Sequence, residues 1–312
     1  MADDTPPTVS APSVGVDELV RLAEQGTLLA IVGPTASGKT ELACQIAERT
    51  SGEVISVDSV QIYRRFDIGS GKPTQGELAR APHHLVGVKD PDEAIDAAAY
   101  ATLASAAIDE VRARGKRPIL CGGTFLWMKA LVQGLAPAPP ADPSVRARHH
   151  AIIEQSGRAE LHRMLAAHDP VSAARLHPND ALRVGRALEV FELTGRTMSA
   201  LQEEHSFRET RHPARLVARG VDPADLTLRI TRRVDAWLGS GWIEEVAALV
   251  SEGHAEARAM GSVGYREVAA HVRGELARPL LAETIVRATR VFARRQRTWL
   301  NHAEVTWCTE LH

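Results

Sequence analysis

The fold is decided by the stretch Leu28–Thr40, which reads LLAIVGPTASGKT. Its first part, Leu28–Val32, is a continuous apolar run, which is typical of a parallel strand buried on both faces. The second part, Gly33–Thr40, matches the pattern G-x-x-x-x-G-K-[ST], and the residues after it favour a helix over Lys39–Thr50. A strand, a glycine-rich loop and a helix in this order predict a phosphate-binding loop.

The residue types of this loop suit an anion. Glycines allow the backbone to curl so that several N–H groups point at one phosphate, and the helix N-terminus adds partial positive charge. We expect Lys39 to reach the terminal phosphate and the Thr40 hydroxyl to ligate Mg²⁺. The residues predicted to hold a phosphate or diphosphate group are Gly33, Thr35, Ala36, Ser37, Gly38, Lys39 and Thr40.

Further apolar runs on both sides of the phosphate loop predict the remaining sheet. Strand patterns alternate with helix patterns, including a long Ala-rich helix over about 97–114. This alternation predicts an α/β fold with a parallel sheet like that of P-loop NTPases and helices on both faces. The other predicted strands are Glu53–Asp58, His84–Val88, Arg117–Cys121, Arg215–Val221 and Val305–Cys308.

A proline-rich connector, Gly134–Pro143, interrupts this pattern. The chain beyond it is helical in character, so we predict a helical insertion domain over 139–214. The α/β core then comprises 27–138 and 215–312. The acidic, Pro- and Ser-rich start of the chain predicts a disordered tail over 1–26, within which Val16–Gln25 has the pattern of a short helix.

Composition excludes several classes of protein. The chain of 312 residues has 37 Lys and Arg against 39 Asp and Glu, so its net charge of −2 excludes a bulk polycation that binds nucleic acid by charge alone. Its three cysteines are too few and scattered for a disulfide framework or a zinc site. No apolar run approaches a membrane span, and the N-terminus lacks the layout of a signal peptide. We therefore expect a cytoplasmic protein that does not interact with membranes.

Asp58 is the first acidic residue at a strand end after the loop's helix. Ligands bind at the carboxyl ends of strands in such sheets, so Asp58 is expected beside the phosphate loop. At this stage it is a candidate metal ligand or general base.

Several further blocks accompany the loop in a fixed order, and together they resemble the tRNA dimethylallyltransferases, also called isopentenyl transferases. The resemblance runs from Gly33 to about Leu300. The blocks are GPTASGKT (33–40), ISVDSVQIYRRFDIGSGKP (55–73), PHHL (82–85), CGGTFLWMKAL (121–131), ADPSVRAR (141–148), HPNDALRVGRALEVFELTG (177–195), GSVGYRE (261–267) and RRQRTWL (294–300).

The resemblance implies a reaction and a role for each block. Enzymes of this family transfer a dimethylallyl group from dimethylallyl diphosphate to the exocyclic amine of the adenine 3′ of the anticodon, which gives isopentenyladenosine and releases diphosphate. The phosphate loop, Lys39 and Mg²⁺ would then hold a leaving group rather than ATP. Asp58 would orient the amine and accept its proton, Thr124 would contact the reacting centre, and Arg229 would be a further diphosphate contact.

The resemblance also implies contacts with the tRNA anticodon stem-loop. Four arginines near the C-terminus, Arg287, Arg290, Arg294 and Arg297, share one helical face that is suited to a phosphate backbone. Trp127 stands where the family usually has Tyr, and we expect it in the wall of the substrate channel. The implied tRNA-binding residues are Asp58, Ser59, Val60, Gln61, Thr124, Arg146, Leu182, Arg183, Val184, Gly185, Arg186, Gly261, Ser262, Val263, Gly264, Tyr265 and Arg266.

Two alternatives remain open on the sequence. An adenylate isopentenyltransferase of the same fold would act on free AMP, ADP or ATP, but we expect it to lack the helical insertion and the basic C-terminal helix. A P-loop nucleotide or metabolite kinase would leave the DSVQIY and Gly-Gly-Thr blocks without a role. We expect the enzyme to be a monomer.

Overall fold

Five-residue strands that are buried along their whole length form the centre of the molecule. The computed structural model describes residues 13–205 and 210–308. Within them a six-stranded sheet has the order β3-β2-β4-β1-β5-β6, and every pairing is parallel. The strands are β1 (Leu28–Val32), β2 (Glu53–Val57), β3 (His83–His84), β4 (Pro118–Gly122), β5 (Ala214–Arg219) and β6 (Thr306–Cys308).

Helices flank the sheet, which confirms the predicted α/β class. Helix α1 packs against β1 and α2, α2 packs against β1 and β4, and α4 packs against β2 and β4. The helices of this part of the chain are α1 (Val16–Glu24), α2 (Lys39–Thr50), α3 (Gln75–Arg80), α4 (Ala97–Ala113), α5 (Phe125–Gln133), α11 (Pro223–Gly239), α12 (Trp242–Ser251), α13 (Tyr265–Val272) and α14 (Arg278–Asn301).

The strand predicted over His84–Val88 is wrong beyond its first residue. Leu85 has a φ of 60° and Gly87 a φ of 62°, and a chain in these left-handed conformations turns instead of extending. The observed strand β3 is therefore limited to two residues at the edge of the sheet.

The predicted disordered tail over 1–26 is also wrong for residues 13–26. Helix α1 buries Leu19, Val20 and Ala23 against the core, and Ser13 forms a parallel bridge with Trp307. The short helix suggested within Val16–Gln25 is thus present, because its apolar face has a partner. Residues 1–12 lie outside the described part of the chain.

The chain divides into two compact units. The first is 1–132 with 211–312, and the second is 133–210. The second unit has its own core, which includes Leu161, Leu165, Val184 and Leu188. Its helices are α6 (Pro143–Ser156), α7 (Arg158–His168), α8 (Pro170–Arg175), α9 (Ala181–Thr194) and α10 (Met198–His205).

No helix of the described ranges is long and apolar enough to cross a membrane. The three cysteines, Cys44, Cys121 and Cys308, all lie in buried positions.

Candidate active site

The phosphate loop connects β1 to α2 at the carboxyl edge of the sheet. Ala36 has a φ of 64° and Gly38 a φ of 87°, so the loop curls through left-handed conformations as an anion-binding loop does. Gly38 precedes α2 without a side-chain cap, which leaves the helix N-terminal N–H groups for a ligand.

Ser37 provides a second indication of a ligand at this loop. Its side chain is fully buried, yet its hydroxyl has no hydrogen-bond partner among the residues that the structure describes. A buried hydroxyl without a partner is costly, and a phosphate oxygen in the loop would provide one.

Lys39 is the cation of the site. Burial lowers the pKa of its ammonium group, while the negative charge of Asp58 raises it and the positive charge of Arg233 lowers it further. The ammonium makes one long hydrogen bond, to the Pro34 carbonyl oxygen at 3.4 Å. One long hydrogen bond offsets little of the cost of removing this charge from water, so the ammonium group is suited to binding an anion.

Asp58 follows β2 directly and lines the same cavity as Lys39. Its Oδ1 atom accepts hydrogen bonds from the Val60 and Gln61 N–H groups at 2.9 and 3.2 Å. These bonds fix the carboxylate at the start of a turn. Its Oδ2 atom therefore has a defined position from which it can accept a hydrogen bond from a substrate amine.

Thr124 lies beside Asp58 because their strands are neighbours. Strands β2 and β4 pair with Val57 opposite Gly122, and each side chain follows the end of its strand. The Thr124 hydroxyl accepts a hydrogen bond from the Ser59 N–H group at 3.1 Å. The Gly-Gly-Thr turn is thereby joined to the loop that carries Asp58.

These groups face one cavity of about 560 Å³. Its lining combines the phosphate loop, Asp58 and Thr124 with apolar side chains from α11, α12 and α14. A cavity of this size and mixed chemistry suits a small ligand with an anionic end and an apolar end. The larger apolar side chains that line it, besides Val60, are Ile230, Val234, Trp237, Trp242, Val263, Ile285 and Phe292.

The structure places Arg233, rather than the predicted Arg229, on the cavity. Both belong to α11, but Arg229 is exposed and does not line the cavity, whereas Arg233 does. Burial lowers the pKa of Arg233, and the charge of Glu77 raises it. The guanidinium carbon lies 5.4 Å from the centroid of the Trp237 ring, a cation–π distance that holds the side chain in place.

The GSVGYR block contributes only part of its length to the cavity. Ser262 and Val263 line it, whereas Tyr265 is fully buried and donates a hydrogen bond to Glu245 at 2.7 Å. The Tyr265 side chain therefore has no accessible surface for RNA, so the predicted tRNA contact is wrong for this side chain. Arg266 is paired with Glu267.

Trp127 also differs from its expectation. It is buried, stacks on Tyr100 with ring centroids 4.2 Å apart, and does not line the cavity. The substitution of Trp for Tyr therefore changes core packing rather than the channel wall.

The predicted RNA contacts of the insertion belong to the second unit. Glu189 is fully buried there and pairs with Arg146 and Arg186. Burial alone would raise the pKa of Glu189, but hydrogen bonds from Arg186, the Asp142 N–H and Arg146 lower it. Both arginines are thus oriented from beneath by one carboxylate, with the Arg146 side chain 53% exposed.

The adjacent residues of α9 divide between surface and core. Leu182 is 81% exposed, and Arg183 lies near Asp180 at the surface. Val184 is fully buried in the core of the unit, and Gly185 lies near His149 and Leu161. The Val184 side chain is therefore unavailable to RNA, which corrects that contact.

The four C-terminal arginines line a second depression, the arginine groove, of about 350 Å³ between α11 and α14. Its floor includes Leu226, Ile230 and Val291. Among the described residues no ion pair or hydrogen bond involves the guanidinium group of any of the four arginines. They are Arg287, Arg290, Arg294 and Arg297.

Sequence reasoning missed Arg233 and Gln296, both of which line the cavity. The signal for Gln296 is its place on the buried stripe of α14, three residues after Ala293 and four before Leu300. A polar residue in such a stripe needs a buried partner. Arg233 similarly stands next to the buried stripe of α11 that contains Ile230 and Val234.

The fold and the site together define a class: a phosphate-loop α/β enzyme whose anion site adjoins an apolar pocket. The sequence model described as IPP transferase matches residues 61–303. A tRNA dimethylallyltransferase of Sorangium cellulosum is 59% identical over 304 residues, which is 97% of each chain. One of Geobacter sulfurreducens is 46% identical over 87% of this chain and 88% of that protein.

Solved structures agree. A tRNA isopentenylpyrophosphate transferase from Bacillus halodurans superimposes with a TM-score of 0.67 at 36% identity, over 91% of this chain and 89% of that one. A eukaryotic dimethylallyltransferase acting on tRNA gives a TM-score of 0.71 at 27% identity, over 88% and 69%. The chain belongs to the IPP transferase family.

Proposed function

We propose that this enzyme transfers a dimethylallyl group from dimethylallyl diphosphate to the exocyclic amine of the adenine 3′ of the anticodon in tRNA. The observation that carries the proposal is that one cavity is lined by the phosphate loop, by the Asp58 carboxylate and by apolar side chains. These three parts correspond to the diphosphate, the amine and the prenyl group of the two substrates. Family membership supports the same reaction.

The diphosphate end of the donor is assigned to the phosphate loop. Lys39, the uncapped start of α2 and Arg233 place positive charge around the leaving group. The bond between the prenyl carbon C1 and the diphosphate oxygen breaks with both electrons left on oxygen. Fixed cations and N–H donors that face this developing charge lower the barrier.

The residues present fit Mg²⁺. The Thr40 hydroxyl lines the cavity beside Lys39 of the phosphate loop, and oxygen atoms are the ligands that this ion prefers. No group of three or more His, Cys, Asp or Glu side chains that could hold a metal occurs in residues 13–205 and 210–308. Such a site suits an ion that takes most of its ligands from diphosphate and water. When bound, Mg²⁺ would neutralise charge on the leaving diphosphate.

The acceptor end is assigned to Asp58 and Thr124. The adenine amine attacks C1 of the prenyl group, forms the new N–C bond and loses one proton to the Asp58 carboxylate. An aromatic amine is a weak nucleophile because its lone pair is delocalised, so a carboxylate that orients it and removes the proton assists the attack. The apolar side chains of the lining, such as Trp237 and Phe292, would contact the prenyl group.

The tRNA itself is assigned to the predicted contacts that line the cavity or remain at least partly accessible at the surface. Ser59, Val60 and Gln61 lie at the cavity together with Ser262 and Val263. The target base must leave its stack to reach such a site. We also propose that Arg146, Leu182, Arg183 and Arg186 of the insertion contact the anticodon stem-loop, and that the enzyme is a cytoplasmic monomer.

The direct test is to incubate the protein with Mg²⁺ and dimethylallyl diphosphate, and with either anticodon-loop RNA or free AMP. Nucleoside analysis identifies the product. We expect isopentenyladenosine in the RNA only. Modification of AMP but not of RNA would contradict the proposal and favour an adenylate isopentenyltransferase. Phosphoryl transfer from ATP without prenylation would favour a kinase.

The role of Asp58 is tested by Asp58→Ala. We expect turnover to fall by roughly 10²–10⁴, the usual contribution of a general base, with tRNA affinity nearly unchanged. Asp58→Asn keeps the size of the side chain and an oxygen for the N–H groups of Val60 and Gln61, so it separates proton transfer from loop structure. Near-wild-type turnover in both variants would contradict the assignment.

A further inference from the structure

Gln296 joins two loops of the active site. It lies on α14, is 5% exposed, and its Oε1 atom accepts a hydrogen bond from the Thr35 N–H group at 2.8 Å. Its Nε2 atom donates a hydrogen bond to the Gly123 carbonyl oxygen at 3.0 Å. Both ends of one buried amide are thus used, and each end holds a different loop.

The two loops leave neighbouring strands. Strands β1 and β4 pair with Val32 opposite Gly122, so the phosphate loop and the Gly-Gly-Thr turn emerge side by side. The sheet fixes the strands but not the loops beyond their ends. The Gln296 amide supplies hydrogen bonds at the point where these sheet pairings stop.

Gly123 shows how closely the amide fits. A Cβ atom at this position would lie 2.4 Å from the Gln296 Nε2 atom. Gly123 does not have a left-handed φ, so its backbone conformation is open to other residues. The space that Gln296 occupies is therefore a reason for glycine at this position.

We propose that Gln296 is a positioning residue that sets the phosphate loop relative to the Gly-Gly-Thr turn. The proposal rests on the proposed function and deepens it. Thr35 belongs to the loop assigned to the leaving diphosphate, and the turn continues into Thr124, which contacts the Ser59 N–H beside Asp58. Gln296 thus fixes the distance between the phosphate loop, which binds the donor, and the Gly-Gly-Thr turn, which lies on the acceptor side. Displacements of about 1 Å between reacting groups cost up to 10²-fold in rate.

The first experiment compares Gln296→Met with the wild type. Methionine has a similar length but makes neither hydrogen bond. We expect kcat to fall roughly 10- to 100-fold, while the KM for anticodon-loop RNA changes by less than about two-fold. Gln25→Met is the matched control, since Gln25 is exposed at the end of α1 and does not line the cavity. A thermal denaturation curve for each variant measures loss of folding separately.

The second experiment is a double-mutant cycle with Gly123→Ala and Gln296→Ala. In the wild type, Gly123→Ala must displace the amide, and we expect a loss of kcat of similar size to that of Gln296→Met. In the Gln296→Ala background the amide is gone, so Gly123→Ala should add less than about two-fold. Non-additivity of this kind is the signature of a direct contact.

The outcomes separate the two claims. Wild-type kcat in Gln296→Met, or equal effects of Gly123→Ala in both backgrounds, would overturn the positioning role and leave the proposed function intact. A lower melting temperature with unchanged kcat would likewise reduce Gln296 to a structural residue. Absence of RNA prenylation by the wild type would overturn both.

Discussion

Helices α11 and α14 carry arginines on two sides that differ in burial and in partners. On the cavity side Arg233 is desolvated and lies against Trp237. On the groove side Arg287, Arg290 and Arg294 are exposed. The same residue type therefore stands in two environments on one helix pair.

The difference teaches which basic residues indicate a ligand. A desolvated cation destabilises the fold unless an anion compensates it, so Lys39 and Arg233 mark a site where an anion binds. A solvated arginine carries no such desolvation cost, and a row of exposed arginines also occurs on protein surfaces that bind no ligand. The desolvation cost of its cations therefore indicates a ligand in the cavity, whereas the arginine groove is distinguished only by its positive charge.

Among the basic residues of this comparison, the largest effects are expected from Lys39→Met. This variant removes the ammonium that faces the diphosphate, so we expect transfer to fall by about 10²–10³-fold, as for loss of one preorganised donor. It also removes a desolvated charge, so the unliganded protein should become more stable near pH 7. Initial rates and thermal denaturation without ligand measure the two effects, and the exposed Lys116→Met is the control.

The sign of the stability effect follows from the pKa of Lys39. Burial lowers it from its ordinary value of 10.5, so between the two values the unfolded chain binds a proton that the folded protein has lost. Wild-type stability should therefore rise with pH across that window, and this rise should be missing in Lys39→Met. If Lys39→Met were less stable than the wild type at every pH, the claim that the desolvated Lys39 ammonium destabilises the unliganded protein would be wrong.

The next effect separates two arginines one turn apart. Arg233→Gln should raise the KM for dimethylallyl diphosphate about 10- to 100-fold, because a charge-assisted hydrogen bond contributes about 1.5–3 kcal/mol. Arg229→Gln should change it by less than about two-fold, because Arg229 is exposed and does not line the cavity. Steady-state kinetics with both variants decides between them, and the reverse order would restore the assignment based on sequence.

The parts of the site that sequence predicted are those that local chemistry determines. The phosphate loop is continuous in the chain, and helix α2 occupies the predicted range Lys39–Thr50. Asp58 was expected beside the loop because ligands bind at the carboxyl ends of parallel strands, whereas Thr124 was assigned to the reacting centre by the resemblance. The pairing of β2 with β4 brings the two residues together.

The parts that sequence reasoning missed depend on packing between distant helices. Helical spacing assigned the C-terminal arginines to one face but did not say which face of α14 closes the cavity. Gln296 and Thr35 are separated by 261 positions in the chain, so their hydrogen bond has no local signal. Arg229, which the resemblance implied as a diphosphate contact, lies one turn before Arg233 on nearly the same side of α11, so helical spacing alone does not tell which of the two reaches the cavity.

The smallest effect, and the one that tests the groove side, is expected from Arg290→Ala combined with Arg294→Ala. If the arginine groove follows an RNA backbone, tRNA affinity at low salt should fall by up to about 10-fold. The slope of log affinity against log salt should become shallower by about 1–2, because each phosphate contact contributes about 0.7–0.9. Turnover at saturating tRNA should not change, because neither residue lines the cavity.

The matched control is Arg21→Ala with Arg112→Ala, which removes the same charge from exposed positions on α1 and α4. A shift in slope for the groove pair but not for the control pair would show that position, rather than net charge, matters. An unchanged slope in both would mean that the arginines of the groove are solvated and bind no phosphate. The two sides of α11 and α14 would then differ in function as well as in burial, since the cations that bind phosphate would be those that the fold desolvates.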